Sequence, residues 1–160
     1  MPAIRSITAV ATLIATLSLA AVPPARGALG DAEVIIYRFP GVLNNGDTDN
    51  TGIATAFHCT NFSGVTETFR IVVRAADGTL KANAAFPINH LATFTVSTHA
   101  AALYAEVSLG TGLVAQGTAA IAATSINIIC TAVTIDAASA GPNGFALRGI
   151  RFSPVPGSQE

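Results

Sequence analysis

His58 and Cys59 stand side by side, and Asn45, Asp47 and Asp49 recur at every second position a little upstream. These are the residues whose types and spacing come closest to chemistry. Alternating oxygen donors are what the first ligands of a calcium-binding loop provide, because a hard cation is held by carboxylate and amide oxygens. The pattern then departs from an EF-hand: its glycine would fall at Asn50 and its bidentate glutamate at Ala56. The stretch Asn44–Gly52 is also the composition of a turn, since Asn, Asp and Gly tolerate left-handed backbone and form side-chain turns. Turn chemistry is the stronger account, and Asn45, Asp47 and Asp49 remain the metal candidates.

His58, His90 and His99 are the only histidines, and no pair has the spacing of a zinc site. In a strand neighbouring side chains face opposite ways, so an inward Cys59 implies an outward His58. His90 and His99 fall at expected strand ends. A copper site of the Cys–His–Met type is excluded: no methionine follows Met1, and no histidine lies shortly after Cys130. No Gly-x-Ser-x-Gly elbow occurs, so a serine nucleophile has no recognisable setting. Carboxylates paired only in space would leave no sequence signal. Sugar-binding platforms are poorly supplied, with Tyr37 and Tyr104 the only tyrosines and no tryptophan. Arg70 and Arg74 share a strand face, and Arg148 and Arg151 lie on opposite faces of the last strand. A solvated sheet face accounts for them better than an anion site. The expectation is no catalytic residue and no cofactor.

Cys59 and Cys130 are the only cysteines. Parity sets Cys59 with Ile53, Thr55 and Phe57, and Cys130 with Ile126, Ile128 and Ala132, so both thiols point at apolar neighbours. The compartment decides whether they pair. Residues 1–27 read as an export signal: Arg5 is the positive end, residues 7–22 carry no charge, and Ala25-Arg26-Gly27 offers a cleavage site before Ala28. The apolar run is about 16 residues, short of the roughly 20 a spanning helix needs, and Pro23-Pro24 follow it. Cleavage is therefore expected over anchoring, leaving a secreted or periplasmic protein with no membrane attachment and a Cys59–Cys130 disulfide. The layout suggests the inter-sheet bridge of immunoglobulin-like domains, without their tryptophan.

Loss of Arg5 and Arg26 with the leader leaves six basic residues against nine acidic ones, a formal charge of −3. Nothing is basic enough to hold a phosphate backbone, so nucleic acid is not an expected partner. The remaining 133 residues suit one domain. It is placed at 28–153, with a flexible tail over 154–160.

Period-two apolar patterning dominates that domain. Phe69, Ile71 and Val73 share one face, and Thr93, Thr95 and Ser97 alternate with Phe94 and Val96. Strands are predicted near 33–39, 53–61, 67–75, 79–86, 91–98, 102–109, 113–121, 125–135 and 145–152. Asp77-Gly78 is predicted as a two-residue hairpin turn, and Gly110-Thr111-Gly112 and Gly141–Gly144 divide later strands. The alanine-rich runs 100–107 and 118–124 leave room for a short helix. The fold class is all-β, an immunoglobulin-like or related two-sheet sandwich with one disulfide.

The segments HCTNFSGVTETFR (58–70) and ALRGIRFSPVPGSQE (146–160) resemble stretches of small exported bacterial proteins that have no known activity. That resemblance implies export and a β domain, and supplies no site residue. The functional expectation is a non-catalytic exported structural or interaction module. The alternatives are a small secreted hydrolase with carboxylate or histidine acid/base groups, and a fimbrial-type subunit completed by a neighbour's strand. An unidentified protein partner or self-association is left open: an exposed edge among the charge-poor strands 91–98 and 125–133 would have weak protection against pairing with another chain, the alternative being that these strands are central and the edges are shielded by loops.

Overall fold

The computed structural model describes residues 32–46 and 48–152, so the expected leader, Asp47 and the expected tail lie outside the described residues. Ten strands and no helix fill them. In chain order these are β1 (Val34–Asn44), β2 (Ile53–Asn61), β3 (Glu67–Ala75), β4 (Leu80–Ile88), β5 (Thr93–Ser97), β6 (Val107–Ser108), β7 (Val114–Ala123), β8 (Ile128–Asp136), β9 (Gly144–Leu147) and β10 (Ile150–Arg151). Two five-stranded sheets result, ordered β10-β1-β7-β3-β4 and β6-β5-β2-β8-β9. Every pairing is antiparallel except β5 with β6.

The sandwich follows from the alternation. Phe69, Ile71 and Val73 of β3 are fully buried while Arg70 and Arg74 face outward. Phe57 and Cys59 of β2 are buried on the facing sheet. Rings lock the layers together: Phe39 meets Phe57 edge-on at 5.7 Å, and Phe69 meets Phe94 edge-on at 5.7 Å. Such pairs contribute about 0.5–1.5 kcal/mol each beyond their buried area. A smaller cluster of Ala54, Ala101, Ile135 and Ala137, with Tyr104 and Val133 against it, forms between the second sheet and the connection from β5 to β6.

Several boundaries differ from the sequence reading, each for a physical reason. The alanine-rich run 118–123 is strand, not helix, because β7 is held between β1 and β3. Ala119, Ile121 and Ala123 fill the core, and Ala120 and Ala122 sit opposite the long side chains of Arg38 and Arg70. The strand predicted over 102–109 shrinks to Val107–Ser108. The last strand divides at Arg148-Gly149: β9 pairs with β8, β10 with β1, so the chain changes sheet there. Asp77-Gly78 belongs to a three-residue loop. Ala75 N bonds Thr79 O, Gly78 N bonds Ala75 O, and Gly78 takes the left-handed φ of +84° that such loops require.

The disulfide is present, but its placement corrects the inter-sheet expectation. Cys59 and Cys130 are direct cross-strand partners on β2 and β8 of one sheet, with Cα atoms 4.2 Å apart. That separation suits a non-hydrogen-bonded antiparallel pair. Both sulfurs face the core from the same side. Of the two readings of strands 91–98 and 125–133 the central one holds: β5 and β8 each have neighbours on both sides, and the long free edge among the described residues belongs to β4.

Candidate functional site

The chemistry-bearing side chains gather on the outer face of the second sheet and at the loops beside it. His58 projects from β2 away from Phe57 and Cys59, as parity requires. Its Nδ1 lies 3.0 Å from Thr95 Oγ1 on β5, and its ring stands edge-on to Tyr104 with centroids 4.6 Å apart. Half-burial under Tyr104 lowers its pKa, because the charged imidazolium loses solvation. Thr60 and Thr93 continue the face with a hydroxyl–hydroxyl contact of 2.8 Å.

Thr95 is also a wall of a shallow depression of about 350 Å³, shared with Thr93, Phe94, Ala105, Glu106 and Val107. Glu106 is the one acid here. Burial raises its pKa, opposed chiefly by the Ala101 amide, which donates to Oε1 at 2.5 Å. Its buried Oε2 has no partner among the described residues. A carboxyl whose proton affinity is raised by burial is raw material for acid–base chemistry. The bonds around it run otherwise. Ser97 Oγ donates to the His99 carbonyl at 2.7 Å, not to a ring nitrogen. His99 Nε2 contacts the Thr51 carbonyl at 2.8 Å and must therefore carry the proton. Among the described residues the one hydroxyl–imidazole contact is that of Thr95 with His58, and no carboxylate bonds the other ring nitrogen of His58 to orient it.

His99 explains the polar loop at 44–52. The ring is buried beneath that loop, and a side chain at Gly46 would come within 2.7 Å of its Nε2. Asn44 Nδ2 donates to Thr111 Oγ1 at 3.0 Å, Asn45 Oδ1 accepts from Ile53 N at 2.5 Å, and Asp49 Oδ1 accepts from Ala100 N at 3.1 Å. Asn45 and Asp49 thus each spend an oxygen on backbone, while Asp47 lies outside the described residues. No group of three or more His, Cys, Asp or Glu among the described residues is arranged to hold a metal ion.

The three histidines do not converge. His90 Nδ1 accepts from Gly64 N at 3.0 Å, which steadies the loop after β2. Asn61, the acceptor of a formal glycosylation sequon, is fully buried and donates from Nδ2 to Val65 O and Ile88 O. Arg70, Arg74 and Arg151 are likewise engaged: Arg70 grips Glu33 through Nε at 2.6 Å and Nη2 at 3.3 Å, and Arg74 donates to Gly78 O at 2.8 Å. Arg151 lies over the Tyr37 ring at 5.7 Å and donates to Ile126 O at 2.8 Å.

Two acids escaped the sequence reading. Glu67 is fully buried, with Oε2 accepting from Thr124 Oγ1 at 2.5 Å and Oε1 unpartnered among the described residues. Its odd-numbered place in line with Phe69, Ile71 and Val73 was the available signal. Glu106 lies in a connection, where no periodicity points to it. Comparison with protein-family models, curated proteins and solved structures finds no match to this chain.

Proposed function

We propose that this protein is a non-catalytic exported module that acts through its surfaces. The observation that carries this reading is that most of its reactive side chains are committed to holding loops, while His58 bonds Thr95 of the neighbouring strand. His99 secures the 44–52 loop, His90 the loop after β2, Asp49 and Glu106 the connection after β5, and Asn61 the β3 approach. Export is supported by the leader-like sequence and by the buried disulfide, which oxidising compartments favour. What the surface offers instead is uncharged: threonines on the outer face of the second sheet, and Leu80, Leu91, Phe62 and Phe145 at half exposure or more.

The hydrolase reading keeps one supporting observation, the raised carboxyl of Glu106 in its depression. Assaying purified protein against ester, glycoside and peptide substrates separates the two. The module reading predicts no turnover above background; turnover that Glu106→Gln abolishes while the melting midpoint is unchanged would establish the hydrolase. The fimbrial-type reading is favoured by the free edge of β4 alone.

A further inference from the structure

Among the described residues the two sheets present four edges, and three are short or blunt. β6 and β10 have two residues each, and β9 has four. The fourth edge, β4, runs nine residues from Leu80 to Ile88. An exposed edge strand carries unpaired N–H and C=O groups that pair readily with another chain unless charge, proline or a bulge prevents it. On β4 those devices sit only at the ends. Lys81 marks the break in register between Val73↔Ala82 and Arg74↔Leu80, and Pro87 lies near the other end. Between them, Ala82-Asn83-Ala84-Ala85-Phe86 is uncharged and in unbroken register with β3.

Resting on the surface-module reading, we propose that the partner is a second copy of this chain, paired antiparallel through β4 about a two-fold axis at Ala84. Two features select this occupant and this register. The first is the backbone. Proline lacks an N–H, and in a paired edge strand it is tolerated where that position faces solvent. Its register partner Thr68 on β3 turns its N–H and C=O toward Thr124, away from β4, so the pair is a non-hydrogen-bonded one and the vacant donor position of Pro87 faces the open side. By alternation, Asn83 and Ala85 also turn their N–H and C=O groups outward. An axis at Ala84 sets Asn83 of one copy opposite Ala85 of the other, twice, so all four residues exchange hydrogen bonds.

The second feature is the side chains. On the core side, Phe86 of each copy meets Ala82 of the other, a large group against a small one. Phe86 and Ala82 are only partly buried in the single chain, although they already pack on the main core. Phe86 stacks on Phe94 at 5.1 Å, so it is held in place before a partner arrives. On the outer side Asn83 meets Ala85. Lys81 meets Pro87, so the strand's only charge faces no like charge, and the pairing ends there because Pro87 has no N–H to donate. The product is a continuous sheet of ten strands across two copies.

Light scattering of the purified protein against concentration, with paired charge variants, tests this. Wild type is expected to reach twice the monomer mass at tens of micromolar. Asn83→Glu with Ala85→Glu sets like charges opposite each other and should return the mass to monomer. Asn83→Glu with Ala85→Lys sets opposite charges there and should restore the dimer. Ala84→Cys places two thiols at the axis and should give a covalent dimer on oxidation. A wild type that stays monomeric at high micromolar concentration overturns the proposal, as does a dimer indifferent to the charge pairs. A dimer in which Ala84→Cys fails to cross-link overturns the register. Each of these leaves the surface-module reading intact, which falls instead to turnover dependent on Glu106.

Discussion

Replacing both Cys59 and Cys130 by alanine should lower stability more than any single surface change. The bond closes a loop across a sequence separation of 71. In the chain-entropy treatment, −2.1 − 1.5R ln n gives roughly 4.4 kcal/mol at 25 °C for a loop of that length, inside the measured range of about 2–5 kcal/mol for native disulfides. Both residues sit in the core cluster beside Phe57, Ile128 and Ala132, so the alanines also forfeit sulfur contacts there. For a domain of this size 1 kcal/mol moves the midpoint by about 4 °C, so the variant should melt roughly 18 °C below wild type. Calorimetry of the variant, with wild type reduced in denaturant and refolded under reductant as a second arm, checks both contributions. Reduced wild type should account for most of the drop. A fall of less than about 4 °C in both arms would refute the reasoning: the bridge would then join strands that remain associated even in the unfolded chain.

Leu91 occupies the third position of the Asn89–Ala92 turn with φ +62°, although it is 66% exposed. Leu91→Asn should raise stability by about 0.5–1 kcal/mol, since asparagine tolerates left-handed backbone and little burial is lost; an unchanged or lower denaturant midpoint contradicts this. Gly149→Ala should cost about 1–3 kcal/mol, because the added methyl would overlap the Phe39 ring where the chain passes between sheets. A neutral result in urea titration would mean that the crossing is loose. The lowered pKa of His58 means that its contribution is present above about pH 6.5 and lost as pH falls through its folded value. Glu106 acts in the opposite sense: its raised pKa favours the folded state below the ordinary carboxylate range, and that benefit is lost as pH rises. Midpoints of wild type and His58→Gln between pH 7.5 and 5 should therefore diverge, with the variant less acid-sensitive; parallel curves would show that His58 ionises freely.

Strand positions were legible wherever apolar residues alternated. β2 and β3 begin and end where the pattern places them, at 53–61 and 67–75. The partnership of Cys59 and Cys130 was readable from parity and number, but not the sheet they share, because parity gives the direction of a side chain and not the neighbouring strand. Nor could alternation reveal that residues 145–152 serve two sheets, since the break at Arg148-Gly149 is only two residues long. Alanine in β7 misled through intrinsic propensity, which gave way to pairing on both sides. The loop at 44–52 announced its turn chemistry, yet its purpose of covering His99 joins residues about 50 apart in the chain. Glu106 was invisible for the same reason: its environment is built by tertiary contacts.

Amide exchange on β4 at two protein concentrations tests most directly the claim that this protein works through its strand edge. Exchange at Asn83 and Ala85 should slow as concentration rises from low to high micromolar, while amides of β2, already bonded to β5 and β8, stay unchanged. Exchange at Asn83 and Ala85 that remains fast at every concentration would contradict the account.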